Sequence, residues 1–237
     1  MWCYFKVRIL KYLFKTGVRL MENKKYSIWL FGLPKIGVRK YTRLVDYFGS
    51  AEAVFKSTKE ELIESNILNS ETISLMISKR DIGKIDRYIK KLKKNNIKAY
   101  TKDDAEYPFN LKNIYDPPPV LYVKGELSEN DVNSLAIVGS RKATEYGLKT
   151  AYQLAKEVAE SGLTVVSGMA LGIDSAAHRG ALKAGGRTIA VFACGLNNVY
   201  PSSGLNLARE ILKNGAIVSE YPIGFKALPS NFPARNR

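Results

Sequence analysis

Residues 135–174 read LAIVGSRKATEYGLKTAYQLAKEVAESGLTVVSGMALGID, and this stretch decides the fold class. Two short runs of apolar and β-branched residues, 136–138 and 164–167, predict buried strands. Between them, over about 144–161, apolar side chains recur at helical spacing. A strand, a helix and a second strand in this order favour a parallel pair joined by a right-handed crossover.

The alternation continues towards the end of the chain. A helix is predicted over about 174–184, a strand over 188–193, a helix over 203–213 and a fourth strand over 216–219. We therefore expect an α/β, Rossmann-like domain with a parallel sheet at 135–237.

The first half of the chain follows a different pattern. From Ser27 to about Ile97, apolar residues recur at helical spacing, which predicts a small all-helical domain placed at 24–98. Residues 99–134 contain Asp116-Pro117-Pro118-Pro119 and then an apolar run. Consecutive prolines do not fit a helix interior. We interpret this region as a stiff connector and an edge strand.

Residues 1–20 mix basic and apolar side chains and contain no acidic one. Charges interrupt the apolar residues every few positions, so the segment lacks the core of a signal peptide. One interpretation is a basic amphipathic helix on a membrane or on nucleic acid. The interpretation that we favour is that translation starts at Met21 and that the residues before it are not native. In the domain assignment, the basic N-terminal extension is placed at 1–23.

The net charge is +15, from 37 basic and 22 acidic residues. Such an excess favours a polyanionic partner, most simply nucleic acid, over a membrane surface or lysines that only solubilise the protein. No uncharged apolar run reaches the roughly 18 residues of a membrane span, so we expect no membrane partner. Cys3 and Cys194 are too few for a disulfide framework, which favours the reducing cytoplasm.

The loops after the predicted strands carry the chemistry, because ligands bind at the carboxyl ends of parallel strands. The first strand is followed by Gly139-Ser140-Arg141-Lys142, and the second ends in Ser167-Gly168, with Gly172 before the next helix. Small residues at helix starts suit a phosphate, and Arg141 adds a planar donor group. The dinucleotide fingerprint and the Walker A motif are missing, so we expect no cofactor.

Catalytic signals are weak. His178 lies four residues after Asp174, but Asp174 is more simply read as a helix N-cap than as part of a proton shuttle. The sequence shows neither a nucleophile elbow nor a set of metal ligands. We expect a binding protein without catalytic or metal-ligating residues. The alternative is a nucleotide-binding protein or a nucleoside-monophosphate hydrolase, for which Glu220 is the acidic candidate.

The segment Leu33-Pro34-Lys35-Ile36-Gly37 resembles the turn of a helix-hairpin-helix unit, whose backbone N–H groups face a phosphate. It marks Lys35, Gly37, Arg39 and Lys40 as a secondary DNA contact. The alternative is a plain helical turn with solvated lysines.

Several of these segments, in the same order, resemble the bacterial DNA-processing protein A family (DprA, also called Smf). They are 107–125, VGSR at 138–141, SGMALGID at 167–174 and NFPARNR at 231–237. The resemblance runs from about Ile28 to the last residue. It implies a helical SAM-like domain and a Rossmann-like domain that binds single-stranded DNA and loads the recombinase RecA in natural transformation.

The resemblance also implies roles for individual residues. Gly139, Ser140 and Arg141 would hold a phosphate, and Ser167 and Gly168 would form a second wall. The last loop would contribute Arg235, Asn236 and Arg237. Aromatic side chains near these loops are candidates for base stacking or for the core: Tyr146, Tyr200, Tyr221 and Phe232.

This chain departs from the family pattern in two respects. Leu171 stands where members often carry a basic residue. The family continues beyond the arginine motif with strands that complete the sheet and carry a dimer surface, whereas this chain ends at Arg237. We therefore expect a truncated or split reading frame with an incomplete sheet, and the homodimer that the family would form is in question.

Overall fold

The computed structural model describes residues 24–236. The predicted extension at 1–23 and the candidate contact Arg237 lie outside the described residues. The chain divides into two compact units between Lys90 and Lys91. The domain limits proposed from the sequence remain predictions.

Among residues 24–236, every helix is too short or too polar to cross a bilayer.

The first unit is helical, as predicted. Its helices are α1 (24–31), α2 (Val38–Phe48), α3 (Ala51–Lys56), α4 (Lys59–Glu64), α5 (Ser70–Ser78) and α6 (Ile82–Lys94), the last of which runs past Lys90. Polar side chains start three of them, since Ser50, Thr58 and Asn69 each accept a hydrogen bond from a backbone N–H of the first turn. The core includes Leu30 and Leu44, which are fully buried.

The second unit is built on a six-stranded sheet in the order β1-β2-β6-β5-β4-β3. The strands are β1 (Ile97–Thr101), β2 (Val120–Gly125), β3 (Ser134–Ala136), β4 (Thr164–Ser167), β5 (Thr188–Val191) and β6 (Ala216–Ser219). The ladders from β3 to β6 are parallel, and β2 and β1 add antiparallel ladders. The predicted α/β, Rossmann-like fold with a parallel sheet is confirmed.

The helices of the second unit are α7 (Phe109–Lys112), α8 (Glu145–Glu160), α9 (Ile173–Lys183), α10 (Leu205–Ile211) and α11 (Asn231–Arg235). Helix α8 begins where the Thr144 side chain accepts a hydrogen bond from the N–H of Gly147. Helices α8 and α9 lie close together because Gly180 has no Cβ, which would overlap the carbonyl oxygen of Tyr152.

A different hydrophobic core packs on each face of the sheet, because successive side chains of a strand point to opposite faces. Val165 belongs to a core shared with α8 and α9, including Ala155 and Ala177. On the other face, Tyr107 packs in a core with the β2 side chains Leu121 and Val123. The Tyr107 hydroxyl donates a hydrogen bond of 2.7 Å to the carbonyl of Pro118. Tyr107 thus packs on the sheet and is joined to the proline-rich stretch by this bond.

Two strand assignments from the sequence were wrong. The apolar run at 120–123 is not an edge strand, because β2 lies between β1 and β6 and is buried over Val120–Val123. The prolines end at Pro119, so they remove no N–H from either ladder. Conversely, the strand predicted at 136–138 is not buried and does not lie at these residues. It is β3, at the edge of the sheet, and its three residues are exposed because β4 covers only one side.

His178 is fully buried on α9 and has a structural role. The Thr188 hydroxyl donates to the carbonyl of Val165 at 2.7 Å, and the Nδ1 of His178 lies 2.7 Å from the same hydroxyl oxygen. Because that hydroxyl has a single proton, Nδ1 carries the hydrogen and donates to Thr188. Burial lowers the pKa of His178 to about 3 from its ordinary value of 6.5. A neutral, enclosed imidazole does not support the proton-shuttle reading.

The buried imidazole makes stability depend on pH. The unfolded chain takes up a proton near pH 6.5 and the folded chain only near pH 3, so the free energy of unfolding is expected to fall as the pH is lowered through this window. His178→Asn retains an N–H donor but does not titrate. Urea denaturation of both proteins between pH 7 and pH 4 should show a shallower decline for the variant. Parallel curves would contradict this assignment.

Candidate functional site

A cavity lies at the carboxyl edge of the parallel strands. Its volume is about 110 Å³, and its lining residues include Arg141, Gly168, Leu171, Cys194, Tyr200 and Phe232. These residues come from the segments that follow β3, β4, β5 and β6, so all four parallel strands contribute. An apolar cavity of about 150 Å³ accepts a benzene ring. The space therefore suits a small group on the scale of one phosphate or one ring.

Arg141 is the charged group of this cavity. Its guanidinium carbon lies 4.5 Å from the centroid of the Phe232 ring. The side chain is exposed, and no atom of residues 24–236 accepts a hydrogen bond from it. Its N–H donors are therefore available to an incoming anion.

The segment around Arg141 is held by hydrogen bonds to Ser140. The N–H of Lys142 donates to the Ser140 hydroxyl at 3.1 Å, and the N–H of Ile173 donates to the carbonyl of Ser140 at 3.2 Å. The second contact joins this loop to the start of α9. Ser140 and Lys142 are exposed on either side of Arg141 and are placed to accompany it at an anion.

The glycines of these loops have a packing role that the sequence did not reveal. A Cβ on Gly139 would overlap the Ile173 side chain, and one on Gly172, where φ is +80°, would overlap the carbonyl oxygen of Ser140. A Cβ on Gly168 would overlap the guanidinium of Arg235. The missing side chains thus make room for other parts of the protein. Direct contact of these glycines with a phosphate stays a prediction.

Arg235 is engaged with the ends of two strands. Its Nη1 donates to the carbonyl of Gly168 and, at 2.7 Å, to the carbonyl of Val191, while Nε donates to the Asn236 side chain at 2.8 Å. Burial lowers the pKa of Arg235. Arg235 therefore joins the last turn of the described chain to the ends of β4 and β5. These bonds leave few of its N–H groups for a ligand.

Ser167 is not brought to the cavity. Its side chain is buried, and the hydroxyl donates to the carbonyl of Ile137 at 2.6 Å. This bond joins the end of β4 to the loop that leads to Arg141. The predicted direct contact of Ser167 with a phosphate remains untested, and the geometry gives the residue a supporting position.

Sequence reasoning left the aromatic candidates undecided, and the structure separates them. Tyr200 and Phe232 line the cavity, with ring centroids 6.0 Å apart. Tyr221 stacks on Phe225 and donates to the carbonyl of Asn231, and Tyr146 is exposed and does not line the cavity. The arrangement of Phe232 against Arg141 was missed; the only signal was its place beside the arginines in NFPARNR.

The lining of the cavity contains one thiol, that of Cys194. Burial raises the pKa of the Cys194 thiol, which donates to the carbonyl of Asn198, so the group stays protonated. Glu220 is not among the lining residues, and none of those residues carries a carboxylate. Within the described chain, no cluster of His, Cys, Asp and Glu side chains could hold a metal ion.

In the first unit, the structure places the predicted secondary contact at the start of α2. Gly37 precedes the helix and makes no side-chain cap, and the first turn contains no acidic residue. Lys35 forms an exposed ion pair of 2.7 Å with Glu71, which offsets its charge. Arg39 is exposed and Lys40 is half-buried. DNA contact at this turn stays a prediction.

The fold and the cavity together define a Rossmann-like α/β protein with an exposed arginine in a cavity at the carboxyl ends of its strands. The family model described as DNA recombination-mediator protein A matches residues 98–237. The chain belongs to this family.

Relatives with similar sequences extend the match. Protein Smf of Synechocystis sp. is 35% identical over 223 residues, which is 92% of this chain and 56% of that protein. DNA processing protein DprA of Streptococcus pneumoniae is 42% identical over 135 residues, 57% of this chain and 47% of that protein. The chain thus spans about half the length of the curated relatives it matches.

Two solved structures are similar to this fold. The X-ray structure of DprA from Streptococcus pneumoniae has a TM-score of 0.73 at 29% identity and covers 90% of this chain and 72% of that one. A structure of DNA processing protein A from Helicobacter pylori, which concerns its mode of binding single-stranded DNA, has a TM-score of 0.51 at 35% identity. That match covers 59% of this chain and 63% of the other.

Proposed function

We propose that this chain binds single-stranded DNA in DNA processing, with Arg141 as the main phosphate anchor. The observation that carries the proposal is the guanidinium of Arg141, which lines the cavity at the strand ends with no hydrogen-bond acceptor in the described chain. Arginine is suited to phosphate because its planar donors match two phosphate oxygens. Relatives that are named DNA processing protein DprA support this reading.

Charge and aromatic groups favour a single strand over a duplex. The net charge of +15 suits a polyanion. Proteins that bind single strands combine a basic groove with aromatic rings on which unpaired bases stack. Tyr200 is half exposed at the cavity rim and supplies such a ring beside the phosphate anchor. Bases within a duplex do not offer their faces in this way.

The other predicted contacts have supporting roles in this proposal. We propose that Ser140 and Lys142 assist Arg141, that Gly139, Gly168 and Gly172 shape the loops, and that Asn236 and Arg237 add polar groups nearby. The turn with Lys35, Gly37, Arg39 and Lys40 is proposed as a secondary contact.

Further steps belong to the same proposal. Delivery of the bound strand to the recombinase RecA is supported by the family description as a recombination mediator. Homodimer formation and a cytoplasmic location stay predictions from the sequence. The alternative function, binding or hydrolysis of a nucleoside monophosphate, receives less support because the described lining residues carry no carboxylate to act on a water molecule.

The test is fluorescence anisotropy of a labelled oligothymidylate titrated with the protein at 50 and at 200 mM salt, with a labelled duplex of equal length as the control. We expect tighter binding to the single strand and an affinity that falls as salt rises, because phosphate contacts release counterions. A thermal melt confirms that the protein is folded. A cooperatively folded protein that binds neither oligonucleotide would reject the proposal, and binding of a free nucleoside monophosphate in its place would favour the alternative.

A further inference from the structure

We propose that Phe232 is a positioning residue for Arg141, and that the α11 segment supports the phosphate anchor without itself contacting the phosphate. This inference rests on the proposed function. Its basis is the guanidinium carbon of Arg141, 4.5 Å from the centroid of the Phe232 ring. The guanidinium of Arg235 lies farther from that ring, at 5.9 Å.

Hydrogen bonds fix the segment on both sides of Phe232. The neighbouring side chain Asn231 is buried and donates through Nδ2 to the carbonyls of Ala193 and Lys226, each at 3.1 Å. On the other side, Arg235 donates to the carbonyls of Gly168 and Val191. The segment that carries the ring is thus fixed to the ends of β4 and β5 and to the segment after β5.

One guanidinium can serve two functions. When it stacks on an aromatic ring, its face contacts the ring and its N–H donors point outward from the edges. Phe232 can therefore hold Arg141 while the donors remain free for phosphate oxygens. An exposed arginine without such a contact loses more side-chain freedom when it binds, and this weakens binding. The ring therefore preorganises the anchor.

A double-mutant cycle tests this role with the full chain and the labelled oligothymidylate. Phe232→Leu keeps an apolar side chain but removes the ring, and it is expected to weaken binding by about two- to fivefold, the range for an exposed cation–π contact. In an Arg141→Ala background the same change should have no effect, because there is no guanidinium left to position. Phe232→Tyr retains the ring and should bind like the unaltered protein.

The salt dependence gives a second readout, which distinguishes weaker positioning of Arg141 from complete loss of its phosphate contact. Phe232→Leu leaves the number of charges unchanged, so the slope of affinity against salt should stay the same, whereas Arg141→Ala should reduce it by about one. Thermal melts of each variant report on folding. An equal loss from Phe232→Leu in both backgrounds, or no loss in either, would overturn the positioning role while leaving the DNA-binding proposal intact. Failure of the unaltered protein to bind the oligonucleotide would overturn the proposed function first.

Discussion

Replacing Arg141 by alanine is expected to weaken binding of single-stranded DNA by about 1–3 kcal/mol, or roughly 5- to 150-fold at fixed salt. The side chain lines the cavity, and no described residue accepts its hydrogen bonds, so its donors are available to a ligand. We expect the substitution to remove one charge-assisted contact and to leave the fold intact, because the side chain is exposed and no described residue accepts a hydrogen bond from it. The affinity is measured by anisotropy with labelled oligothymidylate.

Lys213→Ala is the matched control for the charge. Lys213 precedes β6, so it lies at the amino edge of the parallel sheet, away from the cavity, and pairs with Glu210 at 2.7 Å on the surface. Its removal lowers the net charge by one without touching the site. We expect a far smaller loss of affinity than for Arg141→Ala. Equal losses from the two variants would mean that binding follows total charge, and the cavity would lose its role.

Arg187→Met is expected to lower the free energy of unfolding by about 3–5 kcal/mol, the cost of leaving a buried carboxylate unpaired. Arg187 donates to both carboxylate oxygens of Asp131, at 2.6 and 2.8 Å, and to the carbonyls of Glu126 and Asn214. The Asp131 side chain is only 10% exposed. These groups come from segments next to β2, β3, β5 and β6, so one side chain joins most of the amino edge of the sheet.

The pKa of Asp131 reflects the same contacts. Burial would raise it, but the hydrogen bond from Arg187 and the N–H of Ser128 more than offset this and hold the pKa below its usual range. Removing Arg187 takes away the hydrogen bond and the positive charge that offset the burial of this carboxyl group, and this is the source of the large effect.

Urea denaturation measures this prediction, and Glu210→Gln is the control. It breaks the exposed Lys213 pair, for which a change below about 0.5 kcal/mol is expected. The double variant Asp131→Leu with Arg187→Met should recover part of the loss, because no unpaired charge remains. A loss from Arg187→Met as small as that of the control would show that the pair contributes little. Oligothymidylate affinity of the folded variant should be unchanged, since the pair lies opposite the cavity.

Local patterns were sufficient for the elements that depend on neighbouring residues. The strands at 164–167 and 216–219 coincide with β4 and β6, and the helix predicted over 144–161 differs from α8 by one residue at each end. Short β-branched runs and apolar residues at helical spacing carry this information within a few residues. The position of Arg141 after the first strand also followed, because parallel strands end at one edge.

Partners that lie far apart in the chain could not be predicted in this way. The run at 120–123 looked like an edge strand because of the prolines before it, but β1 and β6 close both of its sides. Arg235 is predicted to contact a phosphate because it is an arginine in a basic motif, and this stays a prediction. The motif could not show that Arg235 also donates to the carbonyls of Gly168 and Val191, 67 and 44 residues away.

The sequence by itself determined the two kinds of folded unit, the parallel sheet and the basic loop at its carboxyl edge, because these depend on local periodicity and chain order. Only the tertiary structure decided which arginine is free and which is engaged, and which aromatic ring stands beside the anchor. Arg141 and Arg235 have the same chemistry, and their difference comes from the acceptors that the fold brings to each. Whether an arginine serves the fold or a ligand is decided by those acceptors, since a buried carbonyl engages a donor that would otherwise remain available.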